Sequence, residues 1–214
     1  MKKCSVLLLL FLGVLGFLVS AQNVYAYPVT VGQSIYFKDG PGTTNGGEFE
    51  VYDWKTTGYL FNTFCIERNE YIGFNSEFVV ADISTAARAG GVDGGNPDPL
   101  DFRTAYLYHH FFHGTLESYD YTGANRDLYA NDLQNAIWFI ENEITSYAFT
   151  EKNYVELANK ANWSDLGDVR VINLTDTDGK FKQDQVTVVP EPSTMLLLGF
   201  GLVGLAAVGR KRFH

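Results

Sequence analysis

The chain has 214 residues and carries 25 acidic against 16 basic side chains, a net charge of −9 at pH 7. Five of the bases lie at the two ends (Lys2, Lys3, Arg210, Lys211, Arg212); setting them aside leaves 11 basic against 25 acidic side chains, a net of −14. That balance argues against nucleic acid or anionic lipid as a partner.

In chain order, Lys2 and Lys3 precede an apolar run over 6–19, and Val24-Tyr25-Ala26 supplies a small-x-small cleavage pattern. Residues 1–26 therefore read as a signal peptide, with the exported chain beginning near Tyr27. Cys4 lies in the positive region and is lost with that peptide, leaving Cys65 as a lone thiol in an oxidising compartment. Residues 27–189, about 160 in all, suffice for one domain with a real core.

The first half of that domain reads as strands and turns. A strand over 34–37 ends at Asp39-Gly40-Pro41-Gly42, and Asn45-Gly46-Gly47 is a turn leading into a strand over 48–54. Strands over 59–67, carrying Cys65, and over 77–83 follow, and the Gly-, Asp- and Pro-rich segment 89–99 reads as a loop. The period then changes. Residues 102–112 are apolar on nearly every face and predict a buried helix ended by Gly114. Asn131 has the character of an N-cap, followed by a helical stripe of Leu133, Ile137, Ile140 and Ile144, and 151–162 predicts a third helix. Strands over 169–174 and 185–189 close the domain across Asp176-Thr177-Asp178-Gly179. The order strands, helices, strands predicts an α+β fold, a β-sandwich-like part with about three helices inserted.

Gln134 falls at the third position after Asn131, where a capping box would use its amide, but Trp138 one turn later makes its surroundings apolar. His109 and His113 are four apart on a helix, with His110 between them, a spacing that can chelate a metal. No third ligand follows a metalloprotease pattern, so packing is the favoured role, and neither metal nor cofactor is expected. The Asp176–Gly179 stretch fails the calcium-loop pattern and reads as a hairpin turn.

Two resemblances arise from these residues. Pro190-Glu191-Pro192, an apolar run over 195–208 and the stub Arg210-Lys211-Arg212 resemble the PEP-CTERM sorting signal of Gram-negative bacteria that make exopolysaccharide. It implies that residues 190–214 hold the protein transiently in the inner membrane by a transmembrane helix. An exosortase then cleaves near Pro-Glu-Pro, and the product reaches the cell surface or extracellular matrix. The run is shorter than the roughly 20 residues of an ordinary spanning helix. Phe64-Cys65-Ile66-Glu67 together with Leu133-Gln134-Asn135-Ala136-Ile137-Trp138 is similar to the paired signature of the thioester domains of bacterial surface proteins. Leu133 stands where Gram-positive members often carry Thr. That resemblance implies a bond between Cys65 Sγ and the Gln134 side-chain carbonyl, with Phe64 and Trp138 excluding water and His109 in a supporting role as an assisting base. The outcome would be single-use covalent attachment to an amine-bearing partner, in adhesion or a biofilm matrix, without enzymatic turnover. The alternatives are a non-covalent structural protein of the exopolysaccharide matrix and a cysteine hydrolase.

Overall fold

The computed structural model describes residues 28–43, 46–88 and 95–189. The signal-peptide and sorting-segment readings lie outside them. Among the described residues no helix is long and apolar enough to cross a membrane.

Eight strands and three helices follow in order: β1 (Ser34–Thr43), β2 (Gly46–Asp53), β3 (Tyr59–Thr63), β4 (Phe78–Ser84), β5 (Ala86–Ala87), β6 (Asp98–Pro99), α1 (Phe102–Phe112), α2 (Arg126–Ile140), α3 (Tyr154–Ala161), β7 (Val169–Thr175) and β8 (Phe181–Val188). The α+β class with three helices inserted between the strands is the observed one. Six strands form one antiparallel sheet in the order β3-β2-β1-β4-β7-β8, and β5 pairs with β6. The sheet curls until its two ends meet. Beyond Thr63 the chain leaves β2 and pairs with β8: Val186 N–H donates to Phe64 O (3.2 Å), Ile66 N–H donates to Asp184 O (3.2 Å), and Cys65 bridges Gln185. Closure removes the unpaired edges that an open sheet would expose.

Alternation along the strands sorts the side chains into two cores. Ile35, Phe37, Phe49, Val51, Phe61, Cys65, Phe78, Val80, Ile172 and Leu174 fill the inside of the curled sheet, joined by Trp138 from α2. Phe64, Ile66, Val169, Val171, Val186 and Val188 face outward and pack under the helices, against Leu107, Tyr108, Phe111, Leu133 and Ile137. Successive residues Phe64, Cys65 and Ile66 thus alternate between the two cores, which is the period-2 rule at work on the segment that closes the sheet.

The helices start where local chemistry permits. Asp101 caps α1 by accepting the Arg103 N–H, and Gly114, at φ +69°, turns the chain out of it. Asn153 caps α3 through the Glu156 N–H. The expected start of α2 at Asn131 is corrected: the helix begins at Arg126, and Asn131 lies in its interior. Leu128, 36% exposed, is the only large aliphatic of the first turn, so that turn shows no apolar stripe to read. Asn131 caps nothing; its side chain accepts the Thr43 N–H (3.0 Å), while Asp127 accepts the Gly42 N–H (3.0 Å). The β1–β2 hairpin is thereby fastened along α2. Ile144 falls beyond the helix, after Asn142 has adopted a left-handed conformation. The Asp176–Gly179 segment is a hairpin turn, with Asp176 accepting the N–H groups of Asp178 and Lys180 and Gly179 at φ +78°.

Glu141, at the end of α2, carries a pH prediction. It is buried, and burial pushes its carboxyl up to about 8, partly offset by the Asp101 N–H that it accepts. A folded-state value above the unfolded 4.5 means that the folded protein binds the extra proton. Its contribution is complete below about pH 4.5 and is lost as pH rises through about 8, on the order of 4 kcal/mol. Urea titrations at pH 5 and 8 should show Glu141→Gln flattening that loss; an unchanged pH slope would refute the assignment.

Candidate functional site

The closure segment and α2 bring Cys65 and Gln134 together. Gln134 Nε2 donates to Cys65 O (2.8 Å), and Cys65 N–H donates to Gln134 Oε1 (3.2 Å). The side-chain amide therefore pairs with the Cys65 backbone as a neighbouring strand would. Both bonds need the same orientation of the amide, so the carbonyl oxygen is directed at the cysteine. The thiol completes the arrangement: Cys65 Sγ donates to the same Oε1 at 3.2 Å. Gln134 occupies no capping box. It sits mid-helix, 1% exposed, and spends its amide wholly on Cys65.

The surroundings hold this geometry. Trp138 lies one turn along α2 from Gln134, 7% exposed. Gly46 covers both: a Cβ there would stand 2.8 Å from the Trp138 ring and 3.0 Å from Gln134 Cγ. Asn45-Gly46-Gly47, a turn signal in the sequence, thus also supplies the one side-chain-free position that lets β2 approach the amide. The pocket around the pair has a volume of about 560 Å³ and includes Phe49, Arg68, Tyr71, Phe74 and Asn135 among its walls. Cys65 and Gln134 form its floor, and Arg68 lies 5.9 Å over the Trp138 ring.

Burial pushes the Cys65 thiol well above its ordinary value. The Trp138 indole N–H is the main influence in the opposite direction, and the Glu67 and Glu143 carboxyls add to the rise. Trp138 Nε1 makes no hydrogen bond of ordinary geometry among the described residues, so it acts on the sulfur as a nearby dipole. Burial thus favours the neutral form of the free thiol, which donates to the carbonyl beside it.

The other site residues expected from sequence separate from this pair. Phe64 points into the helical core, edge-on to Phe111 at 4.9 Å, and guards the pair from behind and not from the pocket. His109 does not line the pocket; its Nδ1 bonds Asp168 Oδ1 at 2.7 Å on the far side of α1. His113 reaches the same carboxylate at 3.3 Å, and His110 bonds Thr115. Because α2 begins at Arg126, Gln134 lies in mid-helix, and the donor to its amide oxygen is the Cys65 N–H. Sequence reading missed Gly46, Arg68 and the Cys65 N–H. Gly46 alone left a trace there, as half of a turn motif.

Comparison with curated proteins and with solved structures finds no match. Comparison with protein families does: residues 188–212 match the PEP-CTERM protein-sorting motif. The match starts at the last residue of β8, so the sorting segment follows directly on the folded domain. The chain is thus directed to export and the cell surface, with a C-terminal signal of the kind that exosortase processes.

Proposed function

We propose that Cys65 and Gln134 form an internal thioester, and that the exported domain uses it once to attach covalently to an amine on a surface or matrix partner. The observation that carries this reading is the triple contact of Gln134 with the Cys65 N–H, carbonyl and thiol. A buried glutamine needs hydrogen bonds, but not all from one cysteine, and the contact holds the attacking sulfur beside the acyl group before reaction.

The chemistry balances. The sulfur attacks the Gln134 side-chain carbonyl carbon, and charge gathers on Oε1, which the Cys65 N–H already faces. The C–N bond breaks, the amide nitrogen takes the thiol proton, and ammonia departs. A partner amine later attacks the same carbon: a new C–N bond forms, the C–S bond breaks, and the sulfur recovers a proton. Burial suppresses thiolate formation, so proton transfer must accompany attack and not precede it. Phe49 and Trp138, apolar rings that line the pocket beside the pair, limit hydrolysis in the interval.

Intact mass of the purified exported chain tests this reading. The wild type is expected lighter by one ammonia, with no titratable thiol, and to gain methylamine with release of one thiol. Cys65→Ala should show the mass its sequence dictates. A wild-type chain of full mass with a free thiol sinks the proposal.

One observation favours non-covalent matrix binding as a second reading. Tyr36, Tyr52, Trp54 and Tyr59 form a row of rings on the outer face of β1–β3, with Tyr36 and Tyr52 stacked at 5.2 Å and Trp54 edge-on to Tyr36 at 5.8 Å. Trp54 and Tyr59 are 40% and 56% exposed. Such rings suit the apolar faces of sugars. If this face binds the matrix, retention on exopolysaccharide survives Cys65→Ala and falls in Trp54→Ala; the reverse pattern leaves the thioester as the sole attachment.

A further inference from the structure

We propose that His109, His113 and Asp168 form a binding site for a zinc-class divalent cation, strapping α1 to the base of the sheet where the sorting segment begins. The helical spacing of the two histidines supplies two ligands on one face of α1, but a stable site needs a third. The fold provides it from a distant part of the chain. Asp168 directly precedes β7, and its two carboxylate oxygens each face one imidazole: Oδ1 lies 2.7 Å from His109 Nδ1 and Oδ2 lies 3.3 Å from His113 Nε2. One ligand atom from each of the three residues falls within 4.8 Å of the others, so modest side-chain rotation brings all three onto one ion.

Neighbouring groups fit this role. The site lies at the C-terminal end of α1, where the helix dipole favours positive charge, and one of its ligands, His113, is the C-cap residue of that helix. The Trp163 ring packs against His109 at 5.6 Å and shields one side. His110 is tied to Thr115 through Nδ1. Two imidazoles and one carboxylate, with a fourth position open to solvent, are a donor set suited to zinc and to related transition metals, and not to calcium or magnesium, which prefer oxygen alone. Binding joins two elements separated by 55 residues in sequence. The backbone of Asp168 also accepts the N–H of Val189 (2.7 Å), the last described residue, at the start of the sorting match. Metal binding would therefore firm the point from which the sorting segment leaves the domain.

Isothermal titration of the purified chain, without a histidine tag, with zinc chloride provides the test. One zinc per chain is expected, weakened on the order of 100-fold or more in His113→Asn and in Asp168→Asn and unchanged in His110→Ala. His113 is half-exposed, so His113→Asn should leave the fold intact, which its circular dichroism checks. Cobalt substituted for zinc should give the visible bands of a four-coordinate centre in the wild type and lose them in both ligand variants. No heat of binding in the wild type, or stoichiometric binding that persists in His113→Asn, overturns the site.

Discussion

Gln134→Glu is expected to abolish ammonia loss and methylamine uptake completely while leaving a folded domain. The substitution changes one atom of the side chain, so packing against Trp138 and Gly46 is preserved. Chemistry is what changes. A free carboxyl group has no ammonia to lose, and joining it to a thiol with release of water is unfavourable in aqueous solution, so no activated acyl group accumulates for an amine to attack. The donor to Cys65 O is lost as well, unless the new carboxyl stays protonated. In a site that already pushes the neighbouring thiol upward by burial, the neutral acid is the favoured form. The fold should therefore lose only about 1–3 kcal/mol, the range for disturbing one buried hydrogen bond. Mass spectrometry and a urea curve on the same sample separate the effects. A Gln134→Glu chain that still captures methylamine, with Cys65 unmodified by any other means, would show that the acyl group lies elsewhere.

Much of this arrangement was legible in sequence, and the reasons for the rest are physical. Period-2 segments mark most main-sheet strands and longer apolar or helical-period runs mark the three helical regions, because burial on one or both faces imposes those patterns directly. The pairing of Cys65 with Gln134 came from motif resemblance, and the structure places the two side chains in contact. The start of α2 was hidden because Asp127, Asn131 and the first-turn residues serve the β1–β2 hairpin and not a cap. Tertiary hydrogen bonds of that kind leave no local signature. The same holds for Asp168: nothing near it in sequence marks it as the partner of His109 and His113, since the contact spans the inserted helices. Sheet closure was equally invisible, because the residues 64–66 keep their strand alternation while changing partners from β2 to β8.

Glu48→Ala is expected to cost about 3–5 kcal/mol of stability, because it leaves charged and polar partners buried without their acceptor. The Glu48 side chain is fully buried on β2. It accepts Arg126 Nε (2.8 Å) and Nη2 (2.6 Å), the Tyr119 hydroxyl (2.6 Å) and the Asn62 amide. Four donors from β3, the loop before α2 and the first residue of α2 converge on one carboxylate. A domain of this size has about 5–15 kcal/mol in total, so the loss is a large fraction of it. The consequence for chemistry follows from position. Arg126 opens the helix that carries Gln134, and Glu48 lies two residues from Gly46, which packs on that glutamine. Loosening β2 from α2 should therefore separate the amide from Cys65 in part of the population, lowering thioester yield along with the urea midpoint. Glu48→Gln, which keeps an acceptor for Arg126, should lose less on both measures. If Glu48→Ala unfolds earlier in urea yet forms the thioester in full yield, the network stabilises the fold without positioning Gln134, and its link to the site is broken.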